Sequence, residues 1–115
     1  MPVTVEEVRD VALRLPRAYE AWVRGERKFR VGSLVFAALS ADETELGFGF
    51  PRIERDAMIA AEPEKFLMPA PRDLRYQWLE ARLAALDAEE MTELVTDGWA
   101  MCVPKSVREA WFDGH

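Results

Sequence analysis

A single cysteine and a single histidine in 115 residues remove most of the usual catalytic chemistry. Cys102 alone cannot close an intramolecular disulfide, and with His115 as the sole imidazole a Cys/His zinc site cannot be assembled within one chain. His115 is also the last residue, and terminal residues are usually poorly ordered. A histidine general base, a Ser-His-Asp triad and a Cys-His pair are therefore disfavoured, and the expectation is a protein that is not an enzyme, with no catalytic residues, metal or cofactor. Long apolar runs are missing too. Nothing approaches the roughly 18 consecutive apolar residues of a membrane span. The opening MPVTVEEVRD carries acids where a signal peptide would have a basic and then an apolar block. A cytoplasmic protein without membrane contact is expected.

Half of the residues are hydrophobic, enough at this length for one domain spanning 1–115 with a single core. The net charge is -6, which opposes non-specific attraction to a phosphate backbone. It is unevenly spread. Between Arg14 and Arg30 six cations stand against Glu20 and Glu26, whereas Asp87 to Asp97 holds five carboxylates and no cation. Two solvated faces of opposite sign are the plain explanation.

Thr4-Val5-Glu6-Glu7 has capping-box spacing and predicts a helix start; Val5, Val8, Ala12 and Leu15 form its apolar stripe, and Pro16 ends it. From Ala18 the period changes to two. Tyr19, Ala21 and Val23 alternate with Glu20, Trp22 and Arg24, and Phe29 and Val31 with Lys28 and Arg30, as half-buried strands do. Gly32-Ser33 reads as a two-residue hairpin loop into Leu34–Leu39, which is apolar on both faces and so central. After a turn at Ala41-Asp42-Glu43, Thr44 to Phe50 alternates again, with Gly47 and Gly49 leaving one face bare. Close packing explains such a face more simply than a ligand does. Ile53 to Ala61 suits a short helix ending near Pro63, and Glu64 to Asp73 an extended loop around Phe66-Leu67-Met68.

Tyr76 to Leu94, YQWLEARLAALDAEEMTEL, is ambiguous. Propensity makes Gln77 to Leu86 helical. Asp87-Ala88-Glu89-Glu90, however, repeats the capping spacing, and a residue deep in a helix has no free N–H to cap, so a new helix starts at Asp87. It runs to Val103-Pro104, and a final helix carries Val107, Ala110 and Trp111. Before Asp87 both readings stay open: Tyr76 and Trp78 alternate like a strand, while Leu79, Leu83 and Leu86 fit helical spacing.

Four places in the chain stand out together: Leu15-Pro16 closing the first helix, Phe29-Arg30-Val31-Gly32 with Phe36-Ala37, Tyr76-Gln77-Trp78 with Leu86-Asp87, and Asp97-Gly98-Trp99 with Val103-Pro104-Lys105. In these the chain resembles the MmcQ/YjbR family of small bacterial proteins. The resemblance implies an α+β, two-layer fold, an antiparallel sheet with helices packed on one side as in secretion chaperones, and makes Gln77 to about Leu83 a strand. It also implies DNA binding, the label such proteins often carry. Many relatives have histidines beside the position of Trp78, where this chain has Arg72, Asp73, Arg75 and Gln77.

Arg24, Arg27, Lys28 and Arg30 are the candidate nucleic-acid residues, with Arg17 nearby and Trp22 as a stacking surface. The plain alternative is a solubilising edge strand. Trp22 and Trp78 are the candidate ligand-binding residues of the second reading, a module that binds a protein or small molecule through an aromatic and glycine surface of the sheet. Trp78, Trp99 and Trp111 with Tyr76 would line a pocket or, more simply, pack the core. Glu80 and Arg82 read as an exposed ion-pair face, and Cys102, amid Met101 and Val103, as a buried inert thiol. Glu6-Glu7 and Glu89-Glu90 sit in first helical turns, where negative charge suits the helix dipole.

Overall fold

Both capping predictions hold in the computed structural model, which describes residues 2–115. The Thr4 hydroxyl accepts the Glu7 N–H and the Glu7 carboxylate accepts the Thr4 N–H, and helix α1 runs from Val5 to Arg14. Its apolar stripe buries Val8 and Ala12. Leu15 then turns extended ahead of Pro16, and Arg17 adopts a left-handed φ of 67°.

Four strands follow: β1 (Ala18–Val23), β2 (Glu26–Val31), β3 (Leu34–Leu39) and β4 (Glu45–Gly49). Helix α2 (Arg52–Ala61) leads to β5 (Phe66–Leu67), a two-residue strand in the region expected to be loop, and β6 (Trp78–Arg82) inserts between β4 and β5. The six strands form one antiparallel sheet in the order β1-β2-β3-β4-β6-β5. Helices α3 (Ala88–Ala100) and α4 (Lys105–Gly114) complete the chain.

β6 is the segment that propensity misassigns. Its Leu79 and Ala81 are fully buried opposite Phe48 and Leu46, and it is paired on both sides, so ladder bonds and burial override a modest helical preference. Asp87 then caps α3, its side chain accepting the Glu90 N–H at 2.8 Å. Asp87→Ala is expected to cost about 1 kcal/mol, a fall of a few degrees in a thermal melt.

One face of the sheet carries Phe29, Leu39, Leu46, Phe48, Phe66 and Leu79, all buried against Val8 and Ala12 of α1 and Met91, Val95 and Trp99 of α3. Each such large side chain contributes roughly 1.5–3 kcal/mol of transfer free energy. α3 crosses the sheet at two glycines. A Cβ on Gly98 would lie 2.9 Å from both the Gly49 nitrogen and the Phe36 carbonyl oxygen. The Trp99 indole donates to the Pro16 carbonyl at 2.9 Å and ties α3 to the corner where α1 enters β1.

Candidate binding surface

The β1–β2 hairpin turns at Arg24 and Gly25, both with positive φ (53° and 80°), the geometry a two-residue loop needs. Its ladder is unbroken from Ala18↔Val31 to Val23↔Glu26. Residues opposite each other share a face. Glu20 opposes the fully buried Phe29, so Glu20, Trp22 and Arg27 lie on the helix side, while Tyr19, Ala21, Lys28 and Arg30 lie on the open side.

That placement reverses the parity expected for β1 and divides the predicted basic patch. The cause is charge pairing: Glu20 is held by Arg9 of α1 at 3.0 Å and by Arg27 at 3.4 Å, so a carboxylate can face the helices without being orphaned. Arg27 also reaches Glu43 at 3.7 Å and lies 4.8 Å over the Trp22 ring, which is 60% exposed. Lys28 pairs with Glu26 at 3.7 Å. Arg24 sits in the turn, and Arg30 stands half-buried on the open face beside Tyr19. The four predicted cations thus occupy both faces and a turn, and Trp22 is on the opposite face from Lys28 and Arg30. Among the described residues, Arg14, Arg17, Arg24 and Arg30 have no carboxylate partner, whereas Glu20, Glu26 and Glu43 of the same neighbourhood are all paired.

Trp78 projects from β6 onto the open face and fills the space that Gly47 leaves. A Cβ at Gly47 would stand 2.6 Å from its ring. Gly49 is met by Gly98 of α3, so the two glycines serve close packing, as their spacing suggested. The four aromatics proposed together are dispersed: Tyr76 is half exposed, Trp78 lies on the open face, and Trp99 is buried beneath α4, where Trp111 meets it edge-on at 5.8 Å.

The expected cross-strand ion pairs of Glu80 and Arg82 are not made: neither has a partner of opposite charge among the described residues, and the Arg82 guanidinium donates to the Glu64 carbonyl. Burial and then the charge of Glu45 push the Glu80 carboxyl above its ordinary range, against a hydrogen bond from Trp78 that lowers it. The unfolded chain therefore ionises first, and Glu80's contribution to stability falls as pH rises past the ordinary glutamate value toward the folded one. Glu80→Gln is expected to melt with wild type well below pH ~4.3 and above it at neutral pH, measured by thermal melts across that range.

Cys102 is half-buried and burial pushes its thiol up, which fits an inert side chain; Lys105 pairs with Glu109 rather than with the sulfur. His115 stacks on Trp111 with Nδ1 2.7 Å from the Trp111 carbonyl. Among the described residues, no three His, Cys, Asp or Glu side chains stand together as a metal would require. Two shallow depressions, of about 410 Å³ beside Pro63 and Lys65 and about 460 Å³ beside Pro16 and Trp111, hold none of Trp22, Arg24, Arg27, Lys28, Arg30 and Trp78, although Arg17 and Trp111 line the second. No described helix is long and apolar enough to cross a membrane.

Sequence reasoning missed Arg55 of α2, which is 7% exposed. Its guanidinium donates to the carbonyls of Leu74 at 2.9 Å, Trp78 at 3.1 Å and Tyr76 at 3.4 Å. Arg52 adds a bond to the Arg75 carbonyl, and its N–H meets the Gln77 side chain. Two arginines one turn apart therefore hold the segment that leads Trp78 into the sheet.

A family model described as YjbR matches residues 13–101. Among solved structures, the chain is similar to a Deinococcus radiodurans protein whose crystal structure carries a DUF419 domain, with a TM-score of 0.75 and 20% sequence identity over 93% of this chain and 86% of that one. At that identity the likeness concerns the fold alone. No curated protein matches.

Proposed function

The chain belongs to the YjbR family, and from that premise we propose that it is a non-enzymatic binding module that holds a protein partner along the free edge of β1. One observation carries the reading: the two edges of the sheet are unlike. β5, at one edge, is two residues long and lies between Pro63 and Pro69, devices that blunt an edge against pairing. β1, at the other, is six residues long, keeps an unbroken register with β2, and contains no proline or bulge. Because a two-residue loop closes on the Val23/Glu26 pair, that pair exchanges both ladder bonds, and alternate residues, Trp22 and Glu20, turn their N–H and C=O groups outward. The Ala18 N–H, next in that series, goes to Leu15 rather than to β2, in keeping with this parity.

The test is capture from lysate, with and without nuclease, by wild type, Trp22→Ala and Trp22→Pro. Alanine removes the ring, and proline also removes the outward N–H without breaking a bond to β2. The expected result is a protein that survives nuclease, is kept by Trp22→Ala at least in part, and is lost with Trp22→Pro. Retention by the proline variant would end the proposal.

A second reading, nucleic-acid binding, is favoured by the four unpartnered arginines around the same hairpin. The pairings of Arg27 and Lys28 shift its burden to Arg24 and Arg30, with Arg17. Each phosphate contact removed should lower the slope of log affinity against log salt by about 0.9 on duplex DNA. A mobility-shift series at low salt that shows no complex at micromolar protein would dismiss this reading.

A further inference from the structure

We infer that the partner of β1 is an extended segment with an uncharged middle and an acidic residue at each end, which adds to the sheet as a seventh, antiparallel strand; the inference rests on the protein-binding reading above and names its ligand class. The outward N–H and C=O groups of Glu20 and Trp22 give the backbone ladder but no selectivity. Selectivity comes from the ends. Arg17 precedes the strand and Arg24 follows it, both in left-handed backbone that ends the extended run and fixes the docking length at six residues, roughly 20 Å. Neither has a carboxylate partner among the described residues, nor have Arg14 and Arg30 close by. Inside the strand the sole carboxylate, Glu20, is neutralised by Arg9 and Arg27. The edge therefore presents an uncharged middle between two cationic ends, and its complement is an apolar strand with an acid at each end.

A second copy of the chain does not fit this pattern. A two-fold axis through an antiparallel pair keeps each residue on its own face and so passes at a residue; to pair five of the six residues of β1 it passes at Glu20 or at Ala21. Either register brings Arg24 of one copy within one position of Arg17 of the other, at both ends. The first sets Glu20 against Glu20 as well.

The probe is a synthetic peptide of alternating Val and Thr with a Glu at each end, seven residues from acid to acid, compared with a Lys-ended copy and with a copy N-methylated on alternate backbone nitrogens. Binding is read by fluorescence anisotropy, and its place by amide shifts of Glu20 and Trp22. The expected result is that the Glu-ended peptide binds at least tenfold tighter than the Lys-ended one, that Arg17→Ala with Arg24→Ala erases the difference, and that N-methylation or Trp22→Pro abolishes binding. Equal affinity for the two peptide ends, or binding that survives N-methylation, overturns the inference. So does a dimer in sedimentation that Trp22→Pro dissociates. A lysate partner still lost with Trp22→Pro in the face of such a result would leave the broader reading standing, whereas its retention ends both.

Discussion

Arg55→Leu is expected to lower the unfolding free energy by about 3 kcal/mol and the melting midpoint by roughly 10 °C. Three carbonyls, those of Leu74, Tyr76 and Trp78, accept from one guanidinium, and no described carboxylate shares it. Leucine keeps much of the volume and removes every donor, so the carbonyls of a partly buried segment lose their partners together. A bond from a charged donor is worth roughly 1.5–3 kcal/mol, and the sum is reduced because the Tyr76 contact is long and the exposed flank of the segment can take water. Arg55→Lys should recover only a small part of the loss, since a point ammonium cannot span three acceptors that a planar fork reaches. The accompanying local signal is faster proteolysis between Arg72 and Gln77. A melt within two degrees of wild type would show that α2 does not hold this segment.

Gly98→Ala is the second large effect. The added methyl would lie 2.9 Å from the Gly49 nitrogen and 2.9 Å from the Phe36 carbonyl oxygen, backbone on both sides, so no side chain can swing away to admit it. α3 must lift off the sheet, and Trp99, next in sequence and wedged between the sheet and α4, must shift with it. Overpacking of this kind costs about 1–3 kcal/mol, and the upper end is expected here, a fall of roughly 10 °C. Gly25→Ala supplies the contrast. Gly25 has nothing within 4 Å of its missing Cβ and bears only a positive φ, so its loss should be about 1 kcal/mol. Equal effects of the two substitutions would show that α3 admits the methyl at Gly98 without lifting off the sheet.

The elements that could be read in advance are those set by local physics. The Thr4 and Asp87 caps follow from the scarcity of free N–H groups inside a helix, and both are made as spaced. The strand at Trp78 to Arg82 followed from the family likeness and only weakly from alternation, because its stability comes from β4 and β5, far off in sequence. The α+β antiparallel fold with its helix-covered face came from the same source, and the similar solved structure supports it. The face of β1 could not be read. Parity reasoning turns the apolar side inward, and here Arg9, eleven residues before Glu20, makes a carboxylate acceptable against the helices. Arg55 was equally silent: within RIERDAMIAA it resembles any exposed helix arginine, and its acceptors are main-chain carbonyls 19 to 23 residues on. The glycines at 47 and 49 announced close approach without naming the occupants, Trp78 and Gly98.

For function, the sequence located the basic neighbourhood and not its free members. Pairing with Glu20, Glu43 and Glu26 withdraws Arg27 and Lys28, and leaves Arg24 and Arg30 with Arg14 and Arg17 outside the original set except for the first two. Which carboxylates meet which cations is decided by hairpin register and by α1, neither of which a charge count contains.

The proposal that β1 is an open edge built for a partner strand is tested most directly by residue-resolved amide hydrogen exchange along Tyr19 to Val23, first alone and then with saturating Glu-ended peptide. In the free protein Tyr19, Ala21 and Val23 should be protected by β2 while Glu20 and Trp22 exchange orders of magnitude faster, and the peptide should slow those two selectively. Glu20 and Trp22 amides already protected in the free protein, or unchanged with the peptide bound, would contradict it.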